Sequence, residues 1–388
     1  MPAGLAAGLS RPNRAEVDLD ILTANTRIVA GLGGSGTLLF GAVKGNGYGL
    51  GLPEVARAML AGGAGGFTLA DPADAARIRA AGISEPILLY GGILPSAAAA
   101  DGMRQLDLMC TVTDPDAARA WSAAARGHPP VRVFAKVDVG LERLGVYPGQ
   151  AAGFARLVGG LPGLELAGIY THLHGSPDRS YTDWQLSRFD EVLAELDRAG
   201  ISVPLRMSQS SATLGLPGAR PGTAARANAM DPGHLLYGIL PAGRISPPAG
   251  LRPALRALVT RVIQVRQVSR DDFTAQSPVP GGITIAVIPI GRGDGLRSLT
   301  NGQVRVRGQL APIVGPLSLE HARVDVTGVP GCQPGDVVEI IAGPPGSGLS
   351  AAEVAAANQL DQVGLLMEIR PSVPRVYLRR GQEQGQAT

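Results

Sequence analysis

From about Leu38 to Tyr237, short β-rich runs alternate with alanine-rich stretches of helical spacing, and this alternation constrains the fold more than any other feature of the chain. A strand followed by a helix and then another strand is the βα unit, which builds a parallel sheet covered by helices. The strand candidates are Leu38 to Val43, Gly65 to Leu69, Pro86 to Tyr90, Leu106 to Thr111, Val131 to Val137, Leu164 to Tyr170 and Leu205 to Gln209, with a less regular eighth near Asn228 to Asp231. Helix starts follow: Asp71-Pro72 and Asp114-Pro115 each read as an N-cap with proline at the first helical position. Eight such units in roughly 200 residues favour a closed α/β TIM barrel over an open sheet, which spacing alone still permits.

Beyond Gly243 the texture changes. Leu258-Val-Thr-Arg-Val-Ile-Gln-Val265 and Gly302-Gln-Val-Arg-Val-Arg-Gly308 alternate apolar and polar residues between Gly and Pro turns, and Gly335-Asp336 reads as a turn entering another strand. The expectation is a barrel over residues 1–243, whose first residues pair with the second domain, and an all-β domain over 244–388. A chain of 388 residues, 45% hydrophobic, is long and apolar enough for two cores. A net charge of +3, no lysine-rich run and 4% aromatics argue against nucleic acid. Met1 to Ser10 lacks the charged start and apolar run of a secretory signal, and no stretch reaches the ~20 apolar residues of a membrane span, so a soluble cytoplasmic protein is expected. Cys110 and Cys332 match no metal or redox spacing and read as reduced thiols; no metal site is expected.

In a barrel the reactive groups gather at the C-terminal ends of the strands. Lys44 falls there, directly after Leu-Leu-Phe-Gly-Ala-Val. Partly desolvated, such a lysine can form a Schiff base with a carbonyl cofactor; alone, it would more often be a solvated loop residue. Its surroundings shift the balance, because Val43 to Gly51 places four glycines around one lysine and Tyr48, a loop whose backbone can approach a ligand closely.

This segment resembles the lysine loop of the alanine racemase family of fold-type III pyridoxal-phosphate enzymes, usually Val-Lys-Ala-Asn-Ala-Tyr-Gly-His-Gly. Further matches follow in the family's order: Lys136 to Gly145, Gly168 to His172, Ser208 to Leu214, Pro232 to Gly238, Gly291 to Gly295, Ala311 to Gly315 and Gly335-Asp336. The resemblance implies pyridoxal 5'-phosphate as cofactor, an amino acid as substrate, and a homodimer with the site at the subunit interface. It implies that Lys44 is the Schiff-base lysine and the base on one face of the substrate, and that Tyr48, Ser210 and the backbone of Gly233 and His234 hold the phosphate. The last three follow the seventh and eighth strands, where barrels often bind phosphate. His172 would lie beside the pyridine ring, Arg143 would reach the phenolic oxygen or the substrate carboxylate, and Lys136 matches a lysine that positions this arginine, carbamylated in some members. Taken singly, His172 reads as a core histidine and Arg143 as a surface ion pair.

The departures fall on the chemistry. Arg292 stands where the family's Gly-Tyr-Ala-Asp-Gly motif carries the tyrosine that acts as base on the opposite face, and a guanidinium cannot accept a proton near neutral pH. Beside it, Ser318-Leu319-Glu320 replaces Cys-Met-Asp, putting Leu319 on the wall that meets substrate, and a phosphate-binding tyrosine aligns with Pro371. Arg292 reads either as a ligand for a second anionic group or as an ion pair with Asp294 or Glu320. Asp231 stands where the family has an arginine opposite the pyridine nitrogen, and a carboxylate there favours the protonated ring; in the alternative, Asp231 is a turn residue and Arg226 takes the family role. His172 and His174 are two apart and share a face if the strand continues through them, offering acid-base help.

These residues point first to an enzyme acting at Cα by a route other than racemisation: aldol or retro-aldol cleavage, hydroxymethyl transfer or decarboxylation. An amino-acid racemase in which His174, Tyr181 or water replaces the tyrosine is the alternative. A non-catalytic carrier of the cofactor is a reading of a different class.

Overall fold

A computed structural model describes residues 10–175, 178–208, 211–214, 226–240, 248–269, 276–296, 302–379 and 382–384. The chain forms two compact units, one of residues 21–47 and 51–252, the other of residues 1–20, 48–50 and 253–388. The expected boundary at 243/244 lies outside the described residues. The first strand, β1 (Arg14–Asp18), belongs to the second unit.

The first unit is a closed barrel of eight parallel strands in sequence order: β2 (Leu38–Ala42), β3 (Gly66–Leu69), β4 (Ile87–Leu89), β5 (Leu108–Val112), β6 (Val131–Lys136), β7 (Leu164–Tyr170), β8 (Leu205–Met207) and β9 (Ala229–Met230). β2 pairs with β9, so the sheet has no edge and closes as the unit count favoured. The helices begin where the sequence signals them: Asp71 accepts from Ala73 N–H at 2.9 Å and Asp114 from Ala117 N–H at 2.8 Å, each ahead of a proline that has no N–H to leave unpaired. Phe40, Leu88, Met109, Phe134, Tyr170 and Met207 are packed in one cluster, so the barrel is a core and not a pore. Phe134 fits because its neighbour at 168 is glycine, where a Cβ would meet the ring at 2.3 Å. Filling the middle leaves the strand ends for chemistry.

The second unit has a seven-stranded sheet, ordered β14-β13-β16-β10-β1-β17-β18, and a three-stranded one, β11-β12-β15. The strands are β10 (Leu255–Arg261), β11 (Gln264–Gln267), β12 (Thr284–Ile288), β13 (Gln303–Val306), β14 (Gln309–Pro312), β15 (Ala322–Asp325), β16 (Val337–Ala342), β17 (Arg375–Arg379) and β18 (Gln382–Gln384). Two corrections arise here. The alternating run 258–265 is two strands, interrupted at Val262 and Ile263, where the chain passes from the larger sheet to the smaller one. The domain is also not all-β: Ala351–Ala357 and Gln362–Glu368 are helices. The first starts on a capping box, with Ser350 and Glu353 each bonded to the other's backbone N–H at 3.3 and 3.0 Å.

Candidate active site

Lys44 begins a turn in the left-handed region, with φ of 62° at Gly45, 57° at Asn46, 64° at Gly47 and 52° at Tyr48. Left-handed backbone costs roughly 1–2 kcal/mol for each non-glycine residue, so glycine at 45 and 47 limits the strain to Asn46 and Tyr48. The turn is held by Asn46: its Oδ1 accepts from Leu52 N–H at 3.1 Å and its carbonyl from Gly51 N–H at 3.0 Å. Beneath it, the Tyr237 hydroxyl donates to the Ala42 carbonyl at 2.9 Å and fixes the end of β2. Lys44 therefore leaves the barrel from a rigid base.

The Lys44 Nζ lies 5.7 Å from the centroid of the Tyr90 ring. The lysine side of the site is open to water, yet burial of the amine lowers its pKa, Arg143 lowers it further, and Asp231 partly opposes both. Asp231, one residue past β9, is 2% exposed and takes the Tyr90 hydroxyl on Oδ2 at 2.7 Å, while its Oδ1 has no hydrogen-bond partner. Burial raises its pKa to about 6 against the Tyr90 hydrogen bond and the charges of Lys136 and Lys44. Lys136, at the end of β6, is also buried; its Nζ has no hydrogen-bond partner and sits 4.3 Å over the Tyr170 ring. Burial brings its pKa down to about 7, with Asp231 and Asp138 opposing and Arg143 assisting. The Lys136 Nζ and the Asp231 Oδ1 are thus both buried without a hydrogen-bond partner.

Arg143 stands on a loop that folds back over β6. Asp138 organises that loop, taking the N–H groups of Gly140, Leu141 and Glu142 on Oδ1 and that of Arg143 on Oδ2. Burial pushes the Asp138 carboxyl up, and these four bonds overcome it and hold the pKa below its ordinary value. The Arg143 guanidinium is exposed and its charge acts on Lys44, Lys136 and His172.

The two histidines part company. β7 ends at Tyr170, so His172 and His174 lie beyond the strand and the condition for a shared face fails. His172 is partly buried, and burial followed by the positive charges of Lys136, Lys44 and Arg143 drops its pKa to about 3. It is neutral at any working pH. His174 is exposed with its ring 6.1 Å from that of Tyr181, whose hydroxyl donates to the Gly140 carbonyl at 2.6 Å.

Tyr48 is buried, and Ser210 lies outside the described residues. The next residue, Ser211, accepts the Gly233 N–H at 2.9 Å, and His234 opens the 3-10 turn His234–Tyr237. Arg226 and Asp231 stand at opposite ends of β9. Arg226 precedes the strand and forms a 3.6 Å ion pair with Asp197, at the foot of helix Arg179–Arg198. In the second unit, Arg292 N–H donates to the Ser318 carbonyl at 3.0 Å and Gly293 N–H to that of Leu319 at 2.7 Å, so the segments 291–295 and 318–320 lie together. The side chains of Arg292 and Leu319 are exposed, and Arg292 forms no ion pair among the described residues. The Asp294 pairing fails because Asp294 is bonded twice by Arg11, at 2.9 and 2.7 Å. Sequence reading passed over Tyr90, Thr68 and Ser211; a polar residue at a strand's C-terminal end is the signal that marks Tyr90.

The pattern described as "Alanine racemase, N-terminal domain" matches residues 17–241, and "Alanine racemase, C-terminal domain" matches residues 255–377. The chain belongs to the alanine racemase family. An alanine racemase of Desulfovibrio desulfuricans is 34% identical over 377 residues, covering 95% of this chain and 98% of the relative, and one of Halothermothrix orenii is 32% identical over 383. Among solved structures, alanine racemase from Bacillus anthracis with bound L-Ala-P has a TM-score of 0.86 at 28% identity, covering 97% of each chain. The enzyme from E. faecalis gives 0.85 at 29%, covering 95% of this chain and 98% of its own. Alanine racemase family enzymes use pyridoxal 5'-phosphate, and the barrel suits it: Lys44 offers an amine of lowered pKa at a strand end, and the orphaned Oδ1 of Asp231 offers a buried acceptor to a protonated ring nitrogen. Among the described residues no group of His, Cys, Asp and Glu is arranged to hold a metal, and no helix is long and apolar enough to cross a membrane.

Proposed function

We propose that this member of the alanine racemase family makes or breaks a bond at Cα of an amino acid from one face, with Lys44 as its base. The observation that carries the reading is the buried Asp231 carboxylate at the end of β9, supported by Tyr90 and by two lysines, with Arg226 at the other end of the strand. Bound here, pyridoxal phosphate supplies a ring that takes up the electron pair left at Cα. Asp231 would pair with the ring nitrogen and favour its protonated form, where arginine would oppose it. Lys44 holds the cofactor through Nζ, and its lowered pKa leaves more of the amine neutral to attack and to accept a proton. The Arg143 fork would hold the phenolic oxygen or the substrate carboxylate, His172 would stand neutral beside the ring, and Tyr48, Ser210, Gly233 and His234 would hold the phosphate. In a cytoplasmic homodimer, Arg292 and Leu319 of one subunit meet the substrate bound by the other.

Arg292 cannot accept a proton from Cα, so the opposite face has no base of the family type. Aldol cleavage and hydroxymethyl transfer need a base for the β-hydroxyl; of the two histidines, His172 with a pKa of about 3 is a weak one, and His174 lies exposed beyond the end of β7. Decarboxylation needs no base at Cα, only a proton returned there after carbon dioxide leaves, which the protonated Lys44 amine would supply, and it fits best. A second reading, alanine racemisation with His174, Tyr181 or water as the other base, draws support from the 34% identity to a named alanine racemase over nearly the whole chain. Incubation with L- and D-alanine and L- and D-serine in deuterated water, with mass spectrometry of the products, separates them. Deuterium exchange at Cα without inversion, or loss of carbon dioxide from one member of a wider amino-acid panel, is the expected result; clean interconversion of enantiomers at enzymatic rates sinks the one-face reading. A cofactor absorbance band that depends on Lys44 but responds to no amino acid would identify a carrier.

A further inference from the structure

The Tyr90 hydroxyl lies 2.7 Å from Asp231 Oδ2 and 2.8 Å from Thr68 Oγ1. One hydroxyl carries one hydrogen, and a carboxylate can only accept, so Tyr90 donates to Asp231 and Thr68 donates to Tyr90. Thr68, at 0% exposure, has no access to water as an alternative. The relay crosses the mouth of the barrel, from β3 to the residue after β4 to the residue after β9, and so fixes the rotation of the Asp231 side chain. Its orientation leaves Oδ1 as the one oxygen of that carboxylate without a hydrogen-bond partner.

We propose that Tyr90 is a positioning residue of this enzyme, holding Asp231 ionised and turned so that Oδ1 is kept for the ring nitrogen of pyridoxal phosphate. The inference rests on the reading that Asp231 faces that nitrogen. The other groups acting electrostatically with Asp231 are Lys44 after β2, Lys136 from β6 and Tyr170 from β7. The lysines favour the carboxylate by charge, whereas Tyr90 supplies the side-chain hydrogen bond that Oδ2 receives. Tyr90 itself stays protonated, since burial and then the Asp231 charge push its pKa well above the ordinary value.

The test is the pH dependence of the bound cofactor's absorbance, recorded on the holoenzyme of the wild type and of Tyr90→Phe, Thr68→Val, Asp231→Asn and the Tyr90→Phe/Asp231→Asn double variant, with the cofactor dissociation constant measured alongside. A hydrogen bond to a charged group is worth about 1.5–3 kcal/mol, which converts to roughly one to two pH units. Tyr90→Phe is therefore expected to move the acid-side inflection up by about that much and to weaken cofactor binding roughly tenfold, with Thr68→Val shifting it less in the same direction. In the double variant the Tyr90→Phe effect vanishes, because the carboxylate through which it acts is gone. Should Tyr90→Phe leave the inflection in place while Asp231→Asn abolishes it, the positioning role of Tyr90 is overturned and the Asp231 reading stands. An inflection that survives in Asp231→Asn removes both. Phenylalanine keeps the shape of the ring, and if that variant does not fold, Thr68→Val carries the same comparison.

Discussion

Asp231 and Asp294 are each 2% exposed, and they are held in opposite ways. Asp294 is fully engaged: the Arg11 guanidinium binds both its oxygens, the Ser372 hydroxyl donates to Oδ1 at 3.1 Å, and the Gly291 N–H donates to Oδ2 at 3.0 Å. Asp231 has one hydrogen bond and one bare oxygen, with its nearest cations acting only through space. A buried carboxylate is expensive unless hydrogen bonds and charges replace its water. Asp294 meets that condition and fastens the loop that carries Arg292. Asp231 does not, since its Oδ1 has no hydrogen-bond partner.

The largest effect expected from this contrast is a split between turnover and stability. Asp231→Asn should lower kcat/KM for the best amino-acid substrate by roughly two to three orders of magnitude, the scale of losing one electrostatic stabiliser in a closed site, while the midpoint of urea unfolding stays level or rises. Asp294→Ala should do the reverse, removing about 2–4 kcal/mol of stability by stranding Arg11 and the Gly291 N–H, with turnover per folded molecule retained to a far greater degree. Equal losses of turnover at unchanged stability would erase the distinction.

The ease with which sequence exposes these features follows from the range of the interactions. The barrel strands are legible because an apolar run and a cap such as Asp71-Pro72 are local, and each sits within a residue or two of its expected place. Lys44 is legible for a similar reason, since a left-handed turn demands a cluster of glycines around it. The helix after Ser350 was equally local and was missed because the surrounding alternation suggested strands throughout. Pairings across the fold are different. Tyr90 and Asp231 are 141 residues apart and Arg11 and Asp294 are 283 apart, and no spacing rule links them. The sharing of a face by His172 and His174 hinged on where β7 stops, and strand ends are set by pairing with neighbours, here at Tyr170.

The two buried charges in the barrel also imply a pH dependence of stability in the protein free of cofactor. The folded Asp231 carboxyl titrates at about 6, above the ordinary 3.8, so its contribution is fully present below 3.8 and is lost as pH rises through about 6. Lys136 titrates at about 7, below the ordinary 10.5, so its contribution is present above 10.5 and is lost as pH falls through about 7. The effect is on the order of 3 kcal/mol at Asp231 and on the order of 5 kcal/mol at Lys136. Urea midpoints from pH 4 to 10 should lose the acid-side slope in Asp231→Asn and the alkaline-side slope in Lys136→Met. Asp294→Ala should leave both slopes in place, and if it flattens either one, the barrel charges are not their source.

A smaller effect is expected at Arg292. Arg292→Tyr returns a group with an accessible proton-accepting form, and alanine racemisation followed by circular dichroism should rise by about tenfold, below the 10²–10⁴ of a general base whose neighbours support it. A variant that already racemises as slowly as wild type would place the missing base elsewhere.

The smallest effect is the one that guards the assignment of Asp231. Arg226 and Asp197 are both about half exposed and 3.6 Å apart, and Asp197 is also bound by Arg206, so removing Arg226 leaves the acid with a partner. Exposed pairs of this kind contribute about 0–1 kcal/mol. Arg226→Ala should change stability by less than about 0.5 kcal/mol, and it should leave the cofactor spectrum and turnover where they were, because the arginine stands before β9 and the chemistry after it. Had Arg226 been the residue that meets the ring nitrogen, its loss would shift the spectrum as strongly as Asp231→Asn. The two ends of one two-residue strand thus make opposite predictions for a single absorbance measurement.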